Sequence, residues 1–159
     1  MRDLVCRIRY KSTRRLPYVR KCRIWRAVKL SLAGLSSVCY LIAMRVLVCG
    51  GRDFSDYAAI SIILEAIHAK RPITLLIQGG ARGADSLAFE WAAHSLIPTK
   101  TFPAAWGIHG KSAGPIRNNK MLTDGKPDLV VAFPGGSGTA HMVKIAKDAG
   151  VEVREIRGS

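Results

Sequence analysis

Cysteine is scarce and unpaired in this chain: four residues are spread over 159 positions, and no two stand at CxxC spacing. Cys6, Cys22 and Cys39 lie in a basic N-terminal stretch, and Cys49 sits inside an apolar run that reads as a buried strand. This excludes a zinc knuckle or a disulfide framework as the source of stability. It fits a reducing compartment, so the expected localisation is cytoplasmic. Long hydrophobic runs are missing too. The most apolar stretch, residues 28–43, is short and carries several serines, which speaks against a membrane-spanning helix and a membrane partner. No G-x-G-x-x-G follows a strand, so the ordinary dinucleotide fingerprint is absent, and no G-x-x-x-x-G-K-[ST] points to P-loop hydrolysis. His68 and His94 have no partners at ligand spacing, so neither a metal nor a resident cofactor is expected. There is no repeat at solenoid period and no low-complexity tract.

What is present is an ordinary globular composition with a strong positive balance, +14 overall. The charge is unevenly placed. Residues 1–43 hold 11 of the 25 Lys and Arg against one acid, Asp3, a surplus of ten; residues 44–159 hold the other 14 against 10 acids, a surplus of four. A basic surface is a nucleic-acid signal, but most of this one belongs to the leader. The expectation is that residues 1–43 add little structure, either disordered or the product of an upstream start codon. A secretory signal or an Arg-rich transit peptide is the alternative. Met44 opens the domain, which spans 44–159.

Within that domain, strands and helices alternate. Arg45–Cys49, Thr74–Ile77 and Leu129–Phe133 are apolar throughout, as strands are when both faces of a sheet are covered. Thr99–Phe102 and Val151–Ile156 mix in polar residues, as edge strands do. Ile60, Ile63, Leu64 and Ile67 fall at i, i+3, i+4 and i+7 and predict a helix capped by Ser55 or Asp56. Further helices are predicted over about 84–95, with Leu87, Ala88 and Trp91 on one side, and over about 115–123 after a loop holding Trp106. A last helix carries Thr139, Met142, Val143 and Ala146 on one face and ends at Gly150. The repeated βα order predicts an α/β fold: a three-layer, Rossmann-like parallel sheet of about five strands. Right-handed crossovers with the polar strands at the edges give the order 3-2-1-4-5. The topological switch then falls between strands one and four, where ligands of such sheets bind.

Three glycine-rich turns leave the same sheet edge. They are Gly50-Gly51-Arg52-Asp53, Gly79-Gly80-Ala81-Arg82-Gly83-Ala84-Asp85 and Pro134-Gly135-Gly136-Ser137-Gly138-Thr139. Glycine lets backbone N–H groups approach a guest, and the second and third turns open helices, whose N-termini favour anions. One such turn alone is commonly just a tight turn. Three converging, with Ser137 and Thr139 offering hydroxyls, read as a phosphate cradle.

The segments MRVLVCGGRDF, IQGGARGADSLAFEWA, FPAAWGIHGKSAGPIRNNKML and DLVVAFPGGSGTAHMV together resemble the YspA family of the SLOG superfamily of Rossmann-like ligand binders. The resemblance runs from Met44 to about Ile156. It implies a nucleotide-like small-molecule partner, and it extends to relatives that pair as homodimers, to the lonely-guy phosphoribohydrolases and to DNA-processing protein A. Arg117 resembles the arginine that precedes PGGxGT in the phosphoribohydrolases, and a guanidinium suits bidentate contact with phosphate. Their pattern continues to a catalytic glutamate, where this chain has Met142. A substitute acid would be Asp53 or Asp85, and whether the chain is an enzyme stays open. Asp85 either caps the second helix or contacts a ribose. Asp53 bonds a ligand or its own turn. Arg52 and Arg82 bind phosphate or face solvent, and Trp106 stacks on a base or packs as a lid. The leading expectation is a nucleotide-binding module, acting as a sensor. Cleavage of a nucleotide N-glycosidic bond comes second, and single-stranded DNA binding third.

Overall fold

The computed structural model describes residues 44–157, so the basic leader lies outside the described residues. The elements follow as β1 (Met44–Cys49), α1 (Tyr57–Lys70), β2 (Ile73–Gln78), α2 (Ala84–His94) and β3 (Thr99–Thr101), then α3 (Trp106–His109), a 3-10 turn (Gly110–Ser112), α4 (Ala113–Thr123), β4 (Leu129–Ala132), α5 (Ser137–Asp148) and β5 (Glu152–Glu155). All strand pairs are parallel and the order is β3-β2-β1-β4-β5, as expected.

The apolar strands are explained by their two buried faces. Side chains alternate across a strand, so Val46 and Val48 of β1 join Leu76, Leu129 and Val131 under Ile60, Leu64, Ala88 and Trp91 of α1 and α2. Leu47 and Cys49 face the other way, with Ile77, Val130 and Ala132, under Met121 of α4 and Met142 and Ala146 of α5. Edge strands β3 and β5 have only one neighbour each and are largely exposed.

The helix ends follow local chemistry. Asp56 caps α1 by accepting from the Ala59 amide at 2.9 Å. Helix α5 closes with Gly150 at φ +72°, its N–H on the Lys147 carbonyl and that of Val151 on the Ala146 carbonyl, a left-handed cap that suits glycine. Two expectations need correction. The segment around Trp106, expected as a loop, forms α3 and the 3-10 turn. Four residues are too few for a 3.6-residue period to show. Helix α4 starts at Ala113, two residues ahead of the expected Pro115. A proline fits there because first-turn N–H groups have no helical acceptor to lose.

Candidate functional site

The C-terminal ends of β1 and β4 lie side by side, Cys49 opposite Ala132. The turns that follow are stitched together: the Gly51 N–H donates to the Pro134 carbonyl at 2.9 Å, and the Ala84 N–H to the Gly51 carbonyl at 3.2 Å. Such an approach needs bare backbone. At Gly83, φ is +81° and a Cβ would overlap the Gly51 and Arg52 carbonyl oxygens, the latter at 2.6 Å. Only glycine satisfies both constraints there.

A cavity of about 890 Å³ opens at this switch point, within the size range of small-molecule sites. One wall is the start of α5. Its N-cap is Gly136, with no side-chain cap and no acid in the first turn. The Thr139 and Ala140 amides turn back to the Gly136 carbonyl at 3.1 Å, while the earlier N–H groups of a helix have no acceptor within it. The positive end of the helix dipole therefore opens on the cavity.

The facing wall is α4. Its Arg117 is 17% exposed and its Nη1 donates to the Gly79 carbonyl at 3.1 Å, lying 3.9 Å from Asp85 Oδ2. Gly79 is glycine because the guanidinium lies against it: a Cβ there would stand 2.6 Å from Cζ. Asp85 is 5% exposed and its Oδ2 accepts from the Gly79 amide at 3.0 Å and the Ala81 amide at 3.2 Å. Burial pushes its carboxyl above the ordinary carboxylate range, against the opposing pull of the Ala81 amide, the Arg117 charge and the Gly79 amide. Cys49 forms part of the floor. Burial, helped by the Asp85 charge and opposed by Arg117, pushes its thiol up to about 12.

Asn118, 2% exposed, ties the two walls together. Its Oδ1 accepts from Arg117 Nε at 3.2 Å. Its Nδ2 donates to the Gly138 carbonyl at 3.0 Å and meets His141 Nδ1 at 3.2 Å. At the mouth, the Arg52 guanidinium lies 5.4 Å from the centroid of the half-exposed Trp106 ring, and Lys111 adds a second cation.

Of the expected site residues, Gly50, Gly51, Arg52, Asp53, Asp85, Arg117, Gly135, Gly136, Ser137, Gly138 and Thr139 line this cavity, whereas Gly79, Gly80, Arg82 and Gly83 do not. Arg82 instead pairs with Asp53 at 3.1 Å on the surface. The Gly79 amide is taken by Asp85, and that of Gly80 by the Gln78 side chain. Asp85 does not cap α2, whose N-cap is Gly83 with no side-chain bond; it staples the turn before the helix. Met142, in the place of the phosphoribohydrolase glutamate, is fully buried. Asn118 and His141, which stand next to Arg117 and Met142, are wall residues outside the expected site set. A signal existed for the histidine, which stands four residues after Ser137 and so on the same helical face. For Asn118 there was none beyond its place beside Arg117. Among the described residues, no group of three or more His, Cys, Asp or Glu is arranged to hold a metal, and no helix is long and apolar enough to cross a membrane.

Residues 44–109 match the profile described as the YspA, cpYpsA-related SLOG family. Over 118 residues, 69% of this chain, the sequence is 35% identical to the Gene 61 protein of Mycobacterium phage D29 and covers 93% of it. Among solved structures, DNA processing protein A (DprA) from Streptococcus pneumoniae is similar in fold, with a TM-score of 0.60 and 17% identity over 73% of this chain. The matched part is 51% of that protein, so this chain corresponds to about half of its length. The glycine-stitched strand ends, the parallel 3-2-1-4-5 sheet and these matches together assign the protein: it belongs to the YspA-related SLOG family.

Proposed function

We propose that the chain binds a nucleotide or nucleotide-derived ligand in this crevice, with the phosphate at the start of α5 and beside Arg117, and that it acts as a sensor of that ligand. The observation that carries the reading is a helix N-terminus without a side-chain cap, open to the same cavity as a partly buried arginine. Backbone N–H groups and a helix dipole favour an anion, and a guanidinium adds a charged, directional donor. Phosphate fills only part of 890 Å³. The remaining volume runs toward Trp106, whose exposed indole offers a stacking face to a base.

Binding is favoured over N-glycosidic cleavage by the state of the two candidate acid–base carboxylates, Asp53 and Asp85. Asp85 is already engaged by two amides, and Asp53 forms a solvent-exposed ion pair with Arg82. Binding of single-stranded DNA draws on the fold likeness to a DNA processing protein, and the surplus of four positive charges over residues 44–159 is modest support for it.

Calorimetry of the full chain with AMP, ADP-ribose and NAD tests the proposal. At least one should bind, and Arg117→Ala should weaken it by about 1.5–3 kcal/mol, the range for a hydrogen bond to a charged group. Absence of binding to all three sinks the reading. Release of free base from the nucleotide would turn the assignment to hydrolysis. A gel shift with single-stranded DNA that weakens steeply in salt would turn it to nucleic acid.

A further inference from the structure

We infer that Asn118 is a positioning residue that fixes the tautomer of His141, holding the proton of the neutral ring on Nε2, so that the crevice presents an N–H donor to the sugar or base of the ligand. The argument begins with the orientation of one amide. Asn118 is buried and both of its ends are engaged: Oδ1 faces Arg117 Nε at 3.2 Å, and Nδ2 faces the Gly138 carbonyl at 3.0 Å and His141 Nδ1 at 3.2 Å. The guanidinium is always a donor and the carbonyl always an acceptor. Rotating the amide by half a turn would set its oxygen against the Gly138 oxygen and its NH2 against the Arg117 N–H. Two good bonds would become two repulsive contacts in a buried place, where unmade bonds are costly. The orientation is therefore fixed from two sides, neither of which involves the histidine.

The consequence falls on His141. Its Nδ1 meets an N–H and must offer a lone pair, which leaves the proton of the neutral ring on Nε2. That nitrogen lies on the far edge of the ring from Asn118. Among the described residues it has no hydrogen-bond partner, and it is not buried. His141 lines the cavity and stands one turn along α5 from Ser137, beyond the first-turn amides assigned to phosphate. An N–H donor placed there, beyond the helix end, suits a ribose hydroxyl or a base carbonyl, and leaves the phosphate to Arg117 and the first-turn amides. This rests on the proposed nucleotide reading for its ligand, but the tautomer itself does not.

The test has two arms on the full chain. Nitrogen-15 NMR of the side chain, at a pH above the ordinary histidine range and with no ligand added, should show a pyridine-type Nδ1 and a pyrrole-type Nε2 for His141. The resonance is assigned by its loss in His141→Phe. Asn118→Asp, which offers Nδ1 an acceptor, should move the proton to Nδ1. A wild-type ring protonated on Nδ1, or averaging between tautomers, overturns the positioning role without any variant. In the second arm, His141→Phe should weaken AMP by about two- to twelve-fold, as expected for one neutral hydrogen bond, and should leave inorganic phosphate binding unchanged. Loss for both ligands, or for neither, overturns the assignment of the donor to sugar or base. If wild type does not bind AMP, this arm is read with whichever of ADP-ribose and NAD it binds; if it binds none of the three, the nucleotide reading and the donor's assigned target fall together, while the spectrum still decides the tautomer.

Discussion

Gly79→Ala isolates the link between the glycine turns and the charged wall of the crevice. The backbone at Gly79 is not in the left-handed region, so alanine is not strained by its φ. On that ground alone the change would stabilise the protein by about 0.4–1 kcal/mol, through a less flexible unfolded chain. The obstacle is Arg117. A Cβ at 79 would lie 2.6 Å from Cζ and 3.0 Å from Cδ of that side chain, and closer still to Nη1. The guanidinium must swing away, losing its bonds to the Gly79 carbonyl and Asn118 and its place beside the Asp85 carboxylate. A charged hydrogen bond contributes about 1.5–3 kcal/mol, so the net expectation is destabilisation by about 1–2 kcal/mol. Nucleotide affinity should fall by a similar factor to Arg117→Ala. Urea denaturation of four proteins measures this: wild type, Gly79→Ala, Arg117→Ala and the double variant. In the Arg117→Ala background the added methyl has nothing to displace, and the alanine should be neutral or mildly stabilising. If Gly79→Ala costs as much without the arginine as with it, the glycine is not there for the guanidinium, and the reasoning is refuted.

At Gly83 the same substitution should behave differently, because φ is +81° and the obstacles are the Gly51 and Arg52 carbonyls, which cannot swing aside; Gly83→Ala should cost more than about 3 kcal/mol in urea melts, whether or not Arg117 is present. The Cys49 thiol, pushed up to about 12, should react with disulfide reagents far more slowly in the folded protein at pH 8 than in urea, tested in a chain with Cys6, Cys22 and Cys39 replaced by serine. A raised thiol value means that the folded state holds its proton more tightly, so this contribution to stability is complete below about 9 and is lost as pH climbs toward 12; a Cys49→Ser protein should lack that alkaline loss. Trp106→Ala should weaken AMP by about 1 kcal/mol, the scale of an aromatic contact beyond its area, and spare inorganic phosphate; equal loss of both would place the indole elsewhere than against a base.

The sequence by itself determined the sheet and its switch point. Uninterrupted apolar runs such as Leu129–Phe133 mark strands covered on both faces, while polar Thr99–Thr101 and Glu152–Glu155 mark edges, and chain handedness leaves few orders that meet both demands. It also determined which turns meet there, since parallel strands end on one edge. Tertiary structure decided what each residue of those turns does. Gly79 and Gly83 read like ligand-binding glycines, yet one makes room for a guanidinium and the other for two carbonyls, because close approach between distant segments leaves the same mark on a sequence as close approach to a guest. Asn118 reads as a polar residue of an ordinary helix until α4 docks on α5 and buries it between Arg117 and His141. Periodicity and glycine punctuation are local and survive in one dimension. The pairing of hydrogen-bonding atoms across helices exists only once the chain is folded.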